Sequence, residues 1–221
     1  MPRNTKQCKA NCSSASLKDM AYQTLRRMIL TGELPAGTQI TEAEIAEQLQ
    51  VSRTPIRESI LQLEHEGLLR IVPYKGIFVY EMTMNDMRDL LQLRYWLELH
   101  AVEEAAARVT DRDTAEMEEL VRDQEQALQA GDMFEFMELD RRLHLRIAQA
   151  VGNAKLVKAL ENLRDQLVAC GLRGLGKRDR AAQVLGEHRE IIESLKANDP
   201  EGAVRAMNQH FVRVRDSVLD F

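Results

Sequence analysis

Asp140 and His144 stand four residues apart within LDRRLHLRIAQAVGN. On a helix that spacing puts both side chains on one face, with roots about 6 Å apart, so that they can share one metal ion. Two more histidines occupy helix-like stretches later in the chain, His188 in GEHREIIESLKANDP and His210 in AVRAMNQHFVRV. Taken singly, each histidine reads as an ordinary surface or core residue. Together, one carboxylate and three imidazoles make a donor set for a divalent ion, zinc foremost, with nickel or manganese accepting the same donors. His65 and His100 have no place in this pattern, and Cys8 with Cys12 lack the further ligands a metal site needs. The donor set can activate water for hydrolysis, hold an organic acid at open coordination positions, or register the ion itself. The residues alone leave these three uses open.

A second group lies nearer the N-terminus. In SRTPIRESILQLEHEGLL the apolar residues Ile56, Ile60, Leu61 and Leu63 recur at helical spacing and are expected to face a core. Arg53, Thr54, Arg57 and Glu58 then point away from it, at the start of the helix. An arginine fork presented there can grip guanine O6 and N7, or a phosphate.

These groups need elements to hold them. Thr41 is suited to cap a helix opening with Glu42, Ala43 and Glu44, where acidic residues favour the positive end of the backbone dipole. Its apolar face is Ile45, Ala46 and Leu49, and the chain turns at Gln50 and Val51. Ser52 or Thr54 starts the next helix, with Pro55 tolerated in its first turn. After Gly67 the pattern becomes extended: Leu69 to Pro73, a turn at Tyr74, Lys75 and Gly76, then Ile77 to Tyr80. Two short helices, a turn and a basic-tipped two-stranded wing stand in the order of a DNA reader.

From Met82 onward helical periodicity takes over. One amphipathic helix is expected over 85–109, with Leu90, Leu91, Leu93, Leu97, Val102 and Ala106 on its apolar positions; a second ends near Gln129. A third runs from Asp132 to Ala150 and a fourth from Ala154 to Cys170, with Gly171, Gly174 and Gly176 interrupting the pattern. A fifth covers 180–197, and Asp199 with Pro200 opens the sixth. Six helices with short connections imply a compact antiparallel bundle, in which helices three, five and six bring Asp140, His144, His188 and His210 together. The fold class is therefore mainly α: a flexible arm over 1–16, a winged helix-turn-helix domain over 17–80 and an all-α six-helix bundle over 81–221.

Charge follows the same division. The 221 residues carry a net charge of −5, but residues 1–80 hold ten Lys and Arg against eight Asp and Glu, and the rest twenty against twenty-seven. The positive part is drawn to phosphates and the acidic part repelled, which orients the molecule on a duplex. Three cysteines form no disulfide framework. No apolar run approaches the ~20 residues of a membrane helix, and the first residues lack the apolar core of a signal peptide.

The stretch from about Leu17 to Tyr80, through LRRMILTGELPAGTQI and SRTPIRESILQLEHEGLL, resembles the winged helix-turn-helix domain of the GntR family of bacterial transcription regulators. The motifs DRRLHLRIAQAVGN and EHREIIESLKANDPEGAVRAMNQH resemble the FCD ligand-binding domain of its FadR-like subfamily, and the six-helix count resembles the VanR-like branch. The resemblance implies a cytoplasmic, nucleoid-associated regulator, more often a repressor, that binds a near-palindromic operator as a homodimer. It implies base or phosphate contacts from Arg53 and Arg57, a phosphate contact from Thr54, and approach of Lys75 and Gly76 to the minor groove. Many members carry an arginine where this chain has Ala43, so one contact is missing. In the bundle it implies a divalent metal on Asp140, His144, His188 and His210 that orients a small carboxylate effector. Arg94 matches an arginine facing the effector cavity; its alternative partner is Glu98, one turn later. Trp96 is expected at an interface or in the core.

Overall fold

The computed structural model describes residues 14–174 and 178–219. Cys8, Cys12 and Gly176 lie outside them. The chain divides into two compact units, Met1–Tyr80 and Glu81–Phe221.

The first unit opens with α1 (Ser14–Leu30), so helix begins inside the stretch expected to be arm. A two-residue strand, β1 (Gln39–Ile40), precedes α2 (Glu42–Gln48). Thr41 caps α2 in a reciprocal box with Glu44, as its sequence position suggested. The second helix of the expected helix-turn-helix, α3 (Arg53–His65), starts after Ser52, whose side chain makes no capping bond. Ala21, Leu25, Ile45, Ile56, Ile60 and Leu63 close the core between α1, α2 and α3. Leu61, expected in that core, is instead 52 % exposed. It sits one residue off the Ile56, Ile60, Leu63 stripe and one turn beyond Arg57, on the outward face.

The wing consists of β2 (Leu69–Val72) and β3 (Gly76–Val79), but the sheet has three strands in the order β1-β3-β2. Gln39 pairs with Phe78 and Ile40 with Ile77, both antiparallel. The two-stranded wing is present as expected, and β1 adds a third strand to its sheet, one whose two residues are too few to print a period-two pattern in a sequence.

The second unit contains α4 (Met84–Ala106), α5 (Asp111–Ala130), α6 (Met133–Ala150), α7 (Ala154–Gly174), α8 (Arg178–Lys196) and α9 (Pro200–Leu219). Capping explains most boundaries. Thr83 with Asp86 and Thr110 with Asp113 form capping boxes, Asp132 accepts from Glu135 N–H, Asn153 from Lys155 and Leu156, and Asp199 from Gly202. Gly131 ends α5 in the left-handed conformation, φ 75°. The fourth helix of the unit continues through Gly171 to Gly174 rather than stopping at Cys170. A helical glycine costs about 1 kcal/mol relative to alanine, which weakens a helix without ending it.

Phe136, Leu143, Met117, Ile147, Ile191, Leu195 and Met207 form the middle of the bundle. On α4 the buried stripe runs Met87, Leu90, Leu91, Arg94, Glu98, Ala101, Val102 and Ala105. Leu93, off this stripe, is 40 % exposed, against expectation. Two charged residues occupy the inward face of α4, and the polar centre of the bundle explains them.

Candidate metal centre

His144 on α6, His188 on α8 and His210 on α9 meet inside the second unit, with exposures of 4 %, 0 % and 1 %. One ring nitrogen from each lies within 4.8 Å of the other two. The ring centroids are 5.1 to 5.3 Å apart. A tetrahedral ion at 2.0–2.1 Å holds its nitrogens roughly 3.3 Å apart, so a small inward movement is enough to close the cluster on metal. Asp140 is buried beside it, with Oδ1 3.4 Å from His188 Nε2 and Oδ2 4.0 Å from His144 Nε2.

The outer contacts decide which nitrogens face inward. His188 Nδ1 is hydrogen-bonded to Gln124 Oε1 at 2.9 Å, and Gln124 Nε2 donates to the Phe136 carbonyl at 3.3 Å. That second bond identifies the Gln124 oxygen as acceptor, so His188 Nδ1 carries the proton and Nε2 bears the lone pair. His210 Nδ1 lies 2.8 Å from Glu187 Oε2. Glu187 in turn accepts from Arg180 at 2.7 and 3.0 Å and from Arg213 at 3.2 Å. His144 Nδ1 is 2.5 Å from Glu98 Oε2, out of line for a hydrogen bond. The Nε2 atoms of all three histidines are buried without a hydrogen-bond partner. Three such atoms pointing at one another fit an ion better than they fit a dry core, because each buried unpaired polar atom otherwise costs about 1–3 kcal/mol.

Burial disfavours the charged form of two of the three imidazoles. Burial lowers His188 well below the usual histidine range, assisted by His210, His144 and Arg94, and burial also lowers His210 despite its bond to Glu187. For Glu98, burial pushes the carboxyl up, but Arg94 and His144 outweigh it and hold it at about 2. Glu187 is likewise held at about 2 by hydrogen bonds from His210 and Arg180, against the opposing effect of burial.

Arg94 is 5 % exposed and its Nε donates to Glu98 Oε1 at 2.7 Å, so the ion pair one turn away is formed. Its Nη2 lies 3.6 Å from Asp140 Oδ2, and its guanidinium sits 5.3 Å above the Phe211 ring. Arg94 and Asp140 also line two small adjoining cavities of about 30 Å³ each. The first touches His144 and the second His210. Trp96 is 53 % exposed, so it is not a core residue.

Glu98, named from sequence only as a partner for Arg94, proves to face His144 as well. Gln124, Arg180 and Glu187 were not singled out from sequence at all. Glu187 does precede His188 directly, but its partner is His210, and the Gln124 bond spans 64 positions, so local spacing carries no signal for either.

In the first unit Arg53, Thr54 and Arg57 are exposed together on the first turns of α3, and Lys75 is exposed at the wing tip. Arg57 Nε stands 3.9 Å from Glu42 Oε1 with its side chain 73 % exposed, a weak pairing that leaves the guanidinium available. Gly76 has φ 120°, a conformation that favours glycine whatever its surroundings, so its presence at the wing tip has a structural reason.

A winged helix-turn-helix unit followed by a helical unit with a buried ligand-type cluster defines a DNA-binding transcription regulator. The family models agree: bacterial regulatory proteins of the gntR family match residues 17–79, and the FCD domain matches residues 89–213. The chain belongs to the GntR family, in the FadR-like subfamily with a C-terminal FCD domain. It is similar to the HTH-type transcriptional repressor RspR of Escherichia coli, 27 % identical over 89 % of this chain and 86 % of the relative. It is 32 % identical to the HTH-type transcriptional regulator McbR of Escherichia coli, over 85 % and 86 % of the two chains. The solved structure of E. coli McbR/YncC superposes with a TM-score of 0.76 at 27 % identity, covering 89 % of this chain and 94 % of that one. These relatives are transcription regulators rather than enzymes, which removes the hydrolase reading. No described helix is long and apolar enough to cross a membrane.

Proposed function

We propose that this chain is a ligand-responsive repressor that binds a near-palindromic operator as a homodimer and is released by a small organic acid bound at a divalent metal. The observation that carries the sensing half is the convergence of three buried, unpartnered Nε2 atoms, each imidazole approached at Nδ1 by a carboxylate or an amide oxygen. His144, His188 and His210, with Asp140 completing the set, would hold the ion, and zinc suits these donors best. An ion there supplies open coordination positions for a carboxylate. Arg94 fixes Asp140 and Glu98 and lines both cavities, where it would give an entering acid a cationic partner.

At the other end, Arg53, Thr54 and Arg57 enter the major groove while Lys75 and Gly76 approach the minor groove. A dimer sets the distance between two such helices, and effector binding changes it, so that the half-sites no longer fit. The exposed Leu93 and Trp96 on α4 give the bundle an apolar face suited to a second copy. The test is a gel-shift titration on the promoter region upstream of the protein's own coding sequence, with and without candidate acids at saturating zinc. Specific retardation that Arg57→Ala weakens at least tenfold, and that an acid reverses, is expected. Equal binding by variant and parent, or loss of DNA driven by zinc alone, would overturn the reading.

A further inference from the structure

The wing tip carries a residue that the DNA contacts above do not use. Lys75 N–H donates to the Val72 carbonyl at 3.0 Å, closing a turn whose two central residues are Pro73 and Tyr74. Tyr74 has φ 62°. Proline first and a positive φ second is the pattern of a type II turn, and the second position favours glycine or asparagine because a larger side chain is strained there. The Tyr74 ring also gains nothing from its own domain, since it is fully exposed, the largest exposure among the large apolar side chains of the described residues. The tip beneath it is held firmly: Val72 pairs with Gly76, and Gln39 Nε2 donates to the Lys75 carbonyl at 2.9 Å. Folding therefore explains neither the strain nor the exposure, and a braced aromatic beside a lysine is suited to a contact outside the chain.

We infer that Tyr74 is a minor-groove reader, its ring lying against the sugar walls and its hydroxyl donating to adenine N3 or thymine O2. This rests on the DNA-binding role already given, but not on the metal or the effector. A phenol suits that groove for two reasons. The floor of an A·T pair shows only acceptors, which the hydroxyl can satisfy, whereas guanine places its N2 amine in the path of the ring. The narrow A·T groove also presses apolar sugar faces on both sides of an inserted side chain. Tyr74 would thus impose an A·T preference on the base pairs under the wing, beyond those read by Arg53 and Arg57. Lys75 beside it adds affinity without sequence preference.

The experiment uses the full chain and a duplex selected by it from a randomised pool. Binding is measured for the parent, Tyr74→Ala, Tyr74→Phe and Lys75→Ala, on duplexes whose flanking A·T pairs are kept, changed to G·C, or changed to inosine·C, which lacks only the N2 amine. The parent is expected to lose about tenfold on G·C and to recover most of it on inosine·C, while Tyr74→Ala binds all three alike. Tyr74→Phe should keep the G·C penalty and lose part of the A·T affinity. Lys75→Ala should instead flatten the salt dependence by about one counterion, which Tyr74→Ala leaves unchanged. Tyr74→Gly is a folding control: it should unfold at an equal or higher temperature than the parent, yet bind as weakly as Tyr74→Ala. A parent that does not distinguish G·C from inosine·C, or a Tyr74→Ala protein that keeps the distinction, would overturn the assignment. Loss of all specific retardation by every protein, the parent included, would strike the DNA-binding reading instead.

Discussion

His188 and Gln124 are joined across α8 and α5 by a 2.9 Å hydrogen bond that is buried on both sides and leaves His188 Nε2 facing the other two imidazoles. Gln124 bonds the Nδ1 of this ring and leaves its Nε2 free, so its influence on an ion would be orientational. Gln124→Ala is expected to weaken zinc binding by about 10- to 100-fold, the usual effect of losing an outer contact. Competition against a chromophoric chelator reads this directly, and unchanged affinity would contradict the orienting role. Gln124→Glu, which keeps an acceptor, should retain most of the affinity.

Metal removal is a second test. An ion that binds only the folded bundle stabilises it by mass action, so prolonged chelation should lower the melting temperature by about 5 °C, and one equivalent of zinc should restore it. His144→Ala and His210→Ala should melt at the same temperature with and without chelator. Burial holds His188 and His210 below the usual histidine range, so protons compete with metal only at correspondingly low pH. Zinc content should therefore stay constant as pH falls through 6.5 and decline only well below it. Loss of the ion above pH 6.5 would show that the imidazoles are not insulated as the structure places them.

Acid sensitivity of the scaffold can be separated from the metal at Asp113. Its carboxyl is lowered by the Thr110 backbone N–H first, then by the Thr110 hydroxyl and Arg146, which together outweigh the opposing effect of burial. A carboxylate depressed in the folded state contributes stability above its ordinary range, and that contribution is lost as pH falls through the depressed value. Asp113→Asn should cost about 1 kcal/mol at pH 7, the size of a cap and a part-exposed ion pair. The gap to the parent should shrink toward zero in urea titrations repeated down to pH 3. A gap independent of pH would assign the loss to geometry rather than to charge.

Much of the fold could be read along the chain because the signals are local. Thr41 and Glu44, Thr83 and Asp86, and Thr110 and Asp113 are each three residues apart, and the capping boxes they form mark three helix starts. The Asp140 and His144 pair was visible for the same reason, one helical turn apart. What escaped were partnerships set by packing. β1 exists only because Gln39 and Ile40 meet β3 from almost forty positions away, and Leu61 turned outward because its neighbour Ile60 took the core. The outer ring of the metal centre belongs to this class, since Gln124 and Glu187 become meaningful only when α5, α8 and α9 are side by side. Arg94 and Glu98 stood in plain view as a pair, yet their burial on the inner stripe of α4 could not be told from their spacing.

The three histidines come from three different helices, α6, α8 and α9, and their ring nitrogens are sealed from solvent. An ion seated among them would be held by ligands from three helices at once, and its release would need those ligands to separate. Its escape would wait for one helix to lift away, so the exchange rate of the metal would be a clock for the opening motions of the domain. An acid that tightens the bundle would slow that clock even where its effect on affinity is small.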